Sequence, residues 1–181
     1  MRMTDLYRAV TAGLVLMLLA ACSTERPDPA GQKAYGDFAL ERYFTGHVQA
    51  WGLFEPRFGG HLRQFTVDVV GRQENGNLVL TENFRYSDGE TQQRIWTIRP
   101  DGPDRYLGTA DDVIGTAIGH RSGNSLHWTY DLNLKTDDGR ITVSFEDWLY
   151  RFDDRTLLNR ATVTKFGVRV GDVTLAFHKI E

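Results

Sequence analysis

The side chains that could do chemistry in this sequence are a few charged residues inside alternating apolar stretches. Glu82 lies within the stretch Leu80–Tyr86, and Asp147 lies within Phe145–Leu149. If these carboxyl groups face a protein interior, each needs a partner, because the burial of an unpaired carboxylate is strongly unfavourable. Three uses are open: an internal ion-pair and hydrogen-bond network, a site for a ligand head group, or general acid–base catalysis by a carboxyl of raised pKa.

The candidate ligand-binding residues lie on one expected inward face or next to it. They are Trp128, Tyr130, Asp147, Arg160, Lys165 and Glu82. Lys165 or Arg160 would face an acidic lipid head group. We assign no catalytic residue and expect no enzyme activity, because the sequence has no Gly-x-Ser-x-Gly elbow, P-loop or dinucleotide fingerprint. We expect no metal and no other cofactor, because no two of the five histidines are spaced i, i+2 or i, i+4.

Strands must position these residues, because apolar and polar residues alternate through the chain after Phe44. Hairpin dipeptides separate the alternating stretches: Asn75-Gly76, Asp88-Gly89, Gly123-Asn124, Asp138-Gly139 and Gly171-Asp172. About ten strands are expected, over Gly46–Phe54, His61–Gly71, Asn77–Tyr86, Thr91–Arg99, Arg105–Ala110, Asp112–Arg121, Ser125–Lys135, Arg140–Phe152, Thr156–Val170 and Val173–Ile180.

Each turn dipeptide predicts which residues face each other across its hairpin. Asn75-Gly76 places Val69, Val67 and Phe65 opposite Glu82, Phe84 and Tyr86. Asp138-Gly139 places Leu134, Leu132, Tyr130 and Trp128 opposite Val143, Phe145, Asp147 and Leu149, and Gly123-Asn124 places the same four opposite Val113, Gly115, Ala117 and Gly119. A three-residue turn at Asp153–Arg155 adds Asn159, Ala161, Val163 and Lys165 to that face.

The predicted inward face sets large residues against small ones, as in a tapered β interior. Two interpretations stay open: the aromatic rings fill the space beside the glycines, or the glycines leave room for a ligand. The outer face is expected to carry Arg85, Arg94, Thr129, Asp131, Thr142 and Ser144.

A meander of this length hides its edges by closing on itself. We therefore predict an all-β fold, an antiparallel up-and-down meander that closes into a calycin- or lipocalin-like barrel of eight to ten strands. A short helix over Tyr35–Phe44 is expected at one end of the barrel.

The first residues have the three parts of an export signal. Two arginines precede the uncharged run Ala9–Ala21, which at 13 residues is shorter than the ~20 that a membrane-spanning helix needs. Leu19–Cys22 resembles the lipobox that lipoprotein signal peptidase recognises, and Cys22 is the only cysteine. We expect residues 1–21 to be a cleaved signal and Cys22 to carry the lipid. An ordinary signal cleaved at an Ala-x-Ala-like site is the alternative.

Residues 22–34 are expected to be the lipidated cysteine and a flexible tether, and residues 35–181 a single barrel domain. Ser23 stands where an Asp would favour inner-membrane retention, so we expect the outer membrane, facing the periplasm, rather than the inner membrane. Without residues 1–21 the formal charge is −4 and no basic stripe is present, so nucleic acid is not an expected partner. The oligomeric state stays open.

Several stretches together resemble one family of bacterial lipoproteins, domain of unknown function 3833. They are Tyr43–Trp51, Arg94–Trp96, Asp111–Gly119, Gly123–Tyr130, Phe145–Trp148 and Asn159–Gly167. The resemblance covers essentially the whole exported domain. It implies an envelope lipoprotein with no assigned activity and no catalytic residues to carry over.

These observations favour a binding or carrier module for an acyl chain or another apolar molecule in the periplasm. The first alternative is a packed barrel whose outer face or loops bind an envelope partner. The second is a hydrolase- or isomerase-like enzyme that uses Asp147 or Glu82. An interior cavity of about 300 Å³ or more favours the binding module, and a solid interior favours the packed barrel.

Overall fold

The alternating stretches form strands, as predicted, through most of the chain. A computed structural model describes residues 37–136 and 139–180. The expected signal (1–21), Cys22 and the tether to residue 34 lie outside the described residues.

Ten strands and one short helix make up the described residues. They are α1 (Leu40–Phe44), β1 (Gly46–Pro56), β2 (Arg63–Glu74), β3 (Asn77–Tyr86), β4 (Thr91–Pro100), β5 (Arg105–Thr109), β6 (Val113–Ser122), β7 (Ser125–Thr136), β8 (Gly139–Arg151), β9 (Thr156–Lys165) and β10 (Val168–Lys179).

The strands close into one antiparallel barrel in which each strand pairs with the next along the chain. β10 pairs with β1 from Val48↔Lys179 to Pro56↔Gly171, so neither terminal strand is left as an edge. The prediction of an all-β, lipocalin-like up-and-down barrel is confirmed, at the upper limit of the expected strand number.

Two predicted registers are confirmed. β2 pairs with β3 through the Asn75-Gly76 turn, so that Val69 lies opposite Glu82. β8 pairs with β9 so that Asp147 lies opposite Ala161, as the three-residue turn predicts. Both registers keep the expected inward face, because alternate residues of a strand point to the same side.

The β7–β8 register differs from the prediction by two residues. Thr136 pairs with Gly139, so the turn is one residue earlier than Asp138-Gly139, and Trp128 lies opposite Asp147 rather than Leu149. A shift of two residues changes the partners but not the face, so the inward residues of both strands stay as predicted.

A β-bulge corrects the prediction for β6. The Gly123-Asn124 turn is confirmed, with Gly119 opposite Trp128, but the register shifts between Ile114 and Ile118. Gly115 lies in this bulge with φ 73° and is exposed, so it is not an inward residue. Glycine suits this position because a side chain is strained at positive φ.

The last hairpin turns at Phe166 and Gly167 rather than at Gly171-Asp172. Val168 pairs with Lys165, and Gly171 lies within β10 at a register shift. Gly171 faces inward there, where a Cβ atom would lie 2.5 Å from Phe54 Cε2. This glycine therefore serves close packing rather than a turn, and the predicted strand Thr156–Val170 ends at Lys165.

The helix closes one end of the barrel, which we call the helix end. It is shorter than the predicted Tyr35–Phe44, because residues 37–39 are not helical and residues 35–36 lie outside the described residues. The Tyr43 hydroxyl donates to the Arg155 carbonyl at 2.8 Å. Lys179 Nζ donates to three carbonyls at the C-terminus of the helix, those of Arg42, Tyr43 and Thr45. The opposite end, where β1 ends and β2 begins, is called the open end.

Candidate ligand-binding site in the barrel

Arg94, which is not one of the site residues predicted from the sequence, lies at the centre of the polar interior. Arg94 was expected on the outer face, but its side chain faces inward and is only 12% exposed. Its Nε and Nη2 atoms donate to both carboxylate oxygens of Asp112 at 2.7–3.0 Å. Nη1 lies 4.0 Å from Glu82 Oε2, so the guanidinium group stands between two carboxyl groups.

The length of one loop explains the inward position of Arg94. Tyr86 N donates to the Glu90 carbonyl at 2.9 Å, which makes the β3–β4 loop three residues long rather than the two of an Asp88-Gly89 turn. Glu82 therefore lies opposite Arg94 in the ladder. A change of one residue in a loop turns every side chain of the following strand to the other face.

Asp112 reaches the interior because β5 is short. This strand has five residues, and β4 and β6 each have ten, so the half of β4 toward the open end has no partner on its β5 side. Asp112 lies in the β5–β6 connection. Its carboxylate accepts hydrogen bonds from two side chains of this unpaired half of β4, Arg94 and, at 3.4 Å, Gln92 Nε2. The ion pair thus closes the barrel wall where the backbone ladder ends.

The buried position of Glu82 makes it an unusually weak acid. Burial raises the pKa of Glu82 to about 7; the charge of Arg94 and a hydrogen bond from Trp96 oppose this shift, and the charge of Asp112 adds to it. Burial lowers the pKa of Arg94, but the hydrogen bonds to Asp112 and the charge of Glu82 outweigh this effect, so its pKa is raised and it stays a cation. A pKa of about 7 allows Glu82 to exchange a proton near neutral pH, whereas Arg94 does not.

Tyr130 and Asp147 form the second half of the polar interior, although they are not directly opposite each other as the predicted register placed them. The Tyr130 hydroxyl donates to Asp147 Oδ2 at 3.0 Å. Burial and the negative charge of Asp147 raise the pKa of Tyr130 well above its usual value, so it remains a hydrogen-bond donor. The charges of Arg94 and Glu82 also act on this hydroxyl. We call Glu82, Arg94, Asp112, Tyr130 and Asp147 the polar cluster.

Trp128 fills the space that the inward glycines leave. A Cβ atom at Gly108 would lie 2.6 Å from Trp128 Cζ2, and one at Gly119 would overlap the same ring. Trp96 packs edge-on against Trp128 with ring centroids 5.8 Å apart. At this level of the barrel the aromatic rings occupy the interior, which agrees with the packed interpretation of the glycines.

A second group of inward residues lies between the polar cluster and the open end. Leu132, Val143 and Val163 form a second apolar cluster there. Around it lie inward residues that remain partly exposed, and we call them the mouth: Phe54, Val113, Leu134, Ile141, Phe145 and Val173. Tyr130 stacks on Phe145 with ring centroids 5.2 Å apart, so the mouth leads directly to the polar cluster.

Two predicted site residues lie away from the polar cluster. Arg160 is exposed on the outer face of β9, between the buried Asn159 and Ala161, and does not reach the interior. Lys165 ends β9 at the open end, with Nζ 5.6 Å from the Phe166 ring. Ala161 pairs with Asp147, and Lys165 is four positions further along β9, a distance of about 13 Å. Lys165 is therefore a residue of the rim and not the partner of Asp147.

One surface concavity lies outside the barrel. A groove of about 400 Å³ follows the outer face of β6–β9 beside the bulge, lined by residues such as Thr116, Thr129, Ser144 and Thr162. It is not the interior cavity that the binding hypothesis calls for. Among the described residues, no group of three or more His, Cys, Asp or Glu side chains is arranged to hold a metal ion. Over the same residues, no helix is long and apolar enough to cross a membrane.

The closed antiparallel barrel with its terminal helix defines a lipocalin-like protein. More particularly, the chain belongs to the family described as "Protein of unknown function (DUF3833)", whose profile matches residues 16–179. The family resemblance noted in the sequence is thereby confirmed.

A solved structure with a similar fold is the S-type phycobiliprotein lyase CPES from Guillardia theta. The two share a TM-score of 0.59 and 9% sequence identity, over 84% of this chain and 99% of that chain. At this identity the likeness extends to the fold alone. No curated protein is significantly similar to this chain.

Proposed function

We propose that this chain is an envelope lipoprotein, anchored through Cys22 in the outer membrane and facing the periplasm, whose barrel binds an apolar molecule such as an acyl chain. The observation that carries the binding proposal is the mouth, where Phe54 and Phe145 stay partly exposed on the inward face beside a buried aliphatic cluster. Ligand sites are mostly apolar and contain a few polar groups that fix orientation. The mouth and the polar cluster together have this composition.

The charges suggest how such a ligand is oriented. The polar cluster contains three carboxyl groups and one guanidinium group, so an anionic head group is unfavourable beside Asp147. A fatty acid would place its chain in the mouth and its carboxylate near Lys165 at the open end. A ligand with an uncharged polar group could instead accept a hydrogen bond from the Arg94 side chain or donate one to the Tyr130 hydroxyl oxygen.

Native mass spectrometry of residues 23–181, exported without the lipid anchor in the original host, tests the binding proposal. A fraction of the protein should carry an apolar molecule of a few hundred daltons. Val173→Trp should lower this fraction by filling the mouth, and Val70→Trp, the same change on the exposed outer face of β2, should not. A wild-type domain that is empty, and takes up neither fatty acid nor phospholipid when offered, overturns the proposal in favour of a packed interaction barrel.

Lys165→Ala tests the orientation of an acidic ligand. A charge-assisted hydrogen bond contributes roughly 1.5–3 kcal/mol, so affinity for a fatty acid should fall about 10- to 100-fold. Thr129→Ala on the outer face is the control and should leave affinity unchanged. An unchanged affinity of the Lys165 variant contradicts this orientation but not the binding itself.

A second candidate, acid–base catalysis, is favoured by one observation, the pKa of about 7 at Glu82. A carboxyl group with this pKa can accept and return a proton at neutral pH. If the barrel is an enzyme of this kind, Glu82→Gln should abolish turnover of a bound molecule but leave it bound. We nevertheless favour binding without catalysis, because Arg94 and Tyr130 both keep their protons at neutral pH and cannot relay one.

A further inference from the structure

Two loops at the open end expose large apolar side chains to solvent. Phe58 and Leu62 lie in the β1–β2 loop and are 69% and 51% exposed. Phe166 lies in the β9–β10 turn and is 93% exposed, and Val168, the first residue of β10, is 54% exposed. Large apolar residues grouped on a surface mark interaction sites more often than single ones do.

The two loops are neighbours, so these side chains form one patch. β1 pairs with β10, with Pro56 opposite Gly171. Arg57 N donates to the Val170 carbonyl at 2.9 Å, which extends this pairing into the β1–β2 loop. The loop and the β9–β10 turn therefore leave the barrel side by side on the same rim.

The backbone holds Phe166 at the tip of its turn. Phe166 has φ 51°, and Gly167 follows with φ 77°. A bulky residue at positive φ is uncommon and strained, and such strain concentrates at functional positions. An Asn or Gly would form the same turn with less strain, so the aromatic ring is present at a conformational cost.

A cation accompanies each exposed ring. The Arg57 guanidinium lies 5.9 Å from the Phe58 ring centroid, and Lys165 Nζ lies 5.6 Å from that of Phe166. Neither cation has an ion-pair partner among residues 37–136 and 139–180, in contrast to Arg63, which pairs with Asp88 and Glu90 at the same end. The patch thus combines exposed apolar rings with two cations that are not engaged in ion pairs within the described part of the chain.

We propose that this rim patch, formed by Arg57, Phe58, Leu62, Lys165, Phe166 and Val168, docks the open end of the barrel on an anionic phospholipid bilayer. Apolar side chains that insert to the depth of the head groups, with cations beside them, are the combination that binds such a surface. The proposal concerns the folded domain itself and holds whether or not a ligand enters the mouth.

The chain before the barrel is long enough to permit this orientation. Phe38 N donates to the Gly123 carbonyl at 2.8 Å, so the N-terminal segment reaches the barrel at the helix end. Fourteen residues separate Cys22 from Asp37 and span up to about 50 Å when extended. β8, the longest strand, has 13 residues and a length of about 43 Å along its own direction. A lipid on Cys22 and the rim patch can therefore reach the same bilayer.

Vesicle co-sedimentation of residues 23–181 tests the proposal, because the closed barrel contains its own core and this domain lacks the lipid anchor. The wild-type domain should bind vesicles of phosphatidylglycerol and phosphatidylcholine more tightly than vesicles of phosphatidylcholine alone. Phe58→Ser with Phe166→Asn should lower the partition coefficient roughly 10- to 100-fold. Asn is chosen because it tolerates the left-handed backbone.

Two further variants separate the contribution of the cations from that of the exposed apolar rings. Arg57→Gln with Lys165→Gln should lower binding to the anionic vesicles and remove most of its salt dependence. Phe152→Ser, which changes a 46% exposed phenylalanine at the helix end, should have no effect. Absence of binding to either vesicle, or equal binding by wild type and the Phe58/Phe166 double variant, overturns the proposal and assigns the patch to a protein contact instead.

Discussion

Glu82 and Arg94 face each other across β3 and β4 inside the barrel, with Oε2 and Nη1 4.0 Å apart. The bidentate bond of Arg94 goes to Asp112 and not to Glu82. Glu82 is therefore the less stabilised of the two carboxylates, and burial dominates its pKa. Burial without a bidentate partner is therefore what raises the pKa of Glu82 to about 7.

Glu82→Gln should change how stability depends on pH. The pKa of Glu82 is raised from its usual 4.5 to about 7 in the folded protein. Between these values the folded state keeps a proton that the unfolded state has lost, so stability is fully present below about 4.5 and declines as pH rises to about 7. The decline is at most roughly 3 kcal/mol. The free energy of unfolding, measured with denaturant at several pH values in this window, should depend less on pH in the variant than in the wild type.

Glu55→Gln is the matched control for this experiment, because Glu55 is an exposed carboxyl group on β1. It should leave the pH profile of the wild type unchanged. If Glu82→Gln retains the wild-type slope between pH values of about 4.5 and 7, Glu82 does not carry the buried proton.

Asp112→Asn should destabilise the barrel. The variant removes the charged half of a mostly buried bidentate pair, and breaking such a pair costs about 3–5 kcal/mol. The loss should lie at the lower end of this range, because Glu82 still offers Arg94 a carboxyl group nearby. Loss of the Asp112 charge should also lower the pKa of Glu82, since that charge raises it.

Chemical denaturation of the Asp112 variant should be compared with Asp88→Asn. Asp88 pairs with Arg63 in the same bidentate manner, but it is 53% exposed at the rim. Its substitution should have little effect, because solvent screens exposed pairs. Equal losses in both variants would mean that Asp112 does not close the wall between β4 and β6.

The inward face was predictable where apolar alternation and turn chemistry agree. Tyr130 and Asp147 were assigned correctly, even though their hairpin turns one residue earlier than expected, because the register error was an even number of residues. Arg94 was missed because Asp88-Gly89 fits loops of two and of three residues. Trp96 and Ile98 lie on the same face of β4 and are both buried, and this pattern could have shown that Arg94 faces inward.

Other features of the site depend on relationships that a single sequence does not contain. The position of Asp112 follows from where β5 ends, and no local pattern marks that end. Alternation does place Arg160 outward between Asn159 and Ala161, and the structure agrees with that placement. Lys165 lies at the rim because the chain turns at Phe166. This turn is hard to predict, since an aromatic residue occupies a position that is typical of Asn or Gly.

Cys22→Ser tests the proposed lipid anchor at a residue that lies outside the described residues. Metabolic labelling with palmitate should mark the wild-type protein, and the variant should remain an uncut and unlabelled precursor. Label on the variant contradicts lipidation at Cys22. Recovery of the wild-type protein with the inner membrane would contradict the outer-membrane proposal drawn from Ser23 and leave the lipoprotein proposal intact.

Gly119→Ala should destabilise the barrel through a single contact with Trp128. A methyl group at this position would overlap the Trp128 ring, and overpacking of a filled interior costs about 1–3 kcal/mol. Trp128→Phe frees this space but leaves a cavity, so it should also destabilise the protein. The double variant should lose less stability than the sum of the single losses, since each change relieves the other. Additive losses in urea denaturation would show that Trp128 does not fill the space beside Gly119, and would reopen that level of the barrel to a ligand.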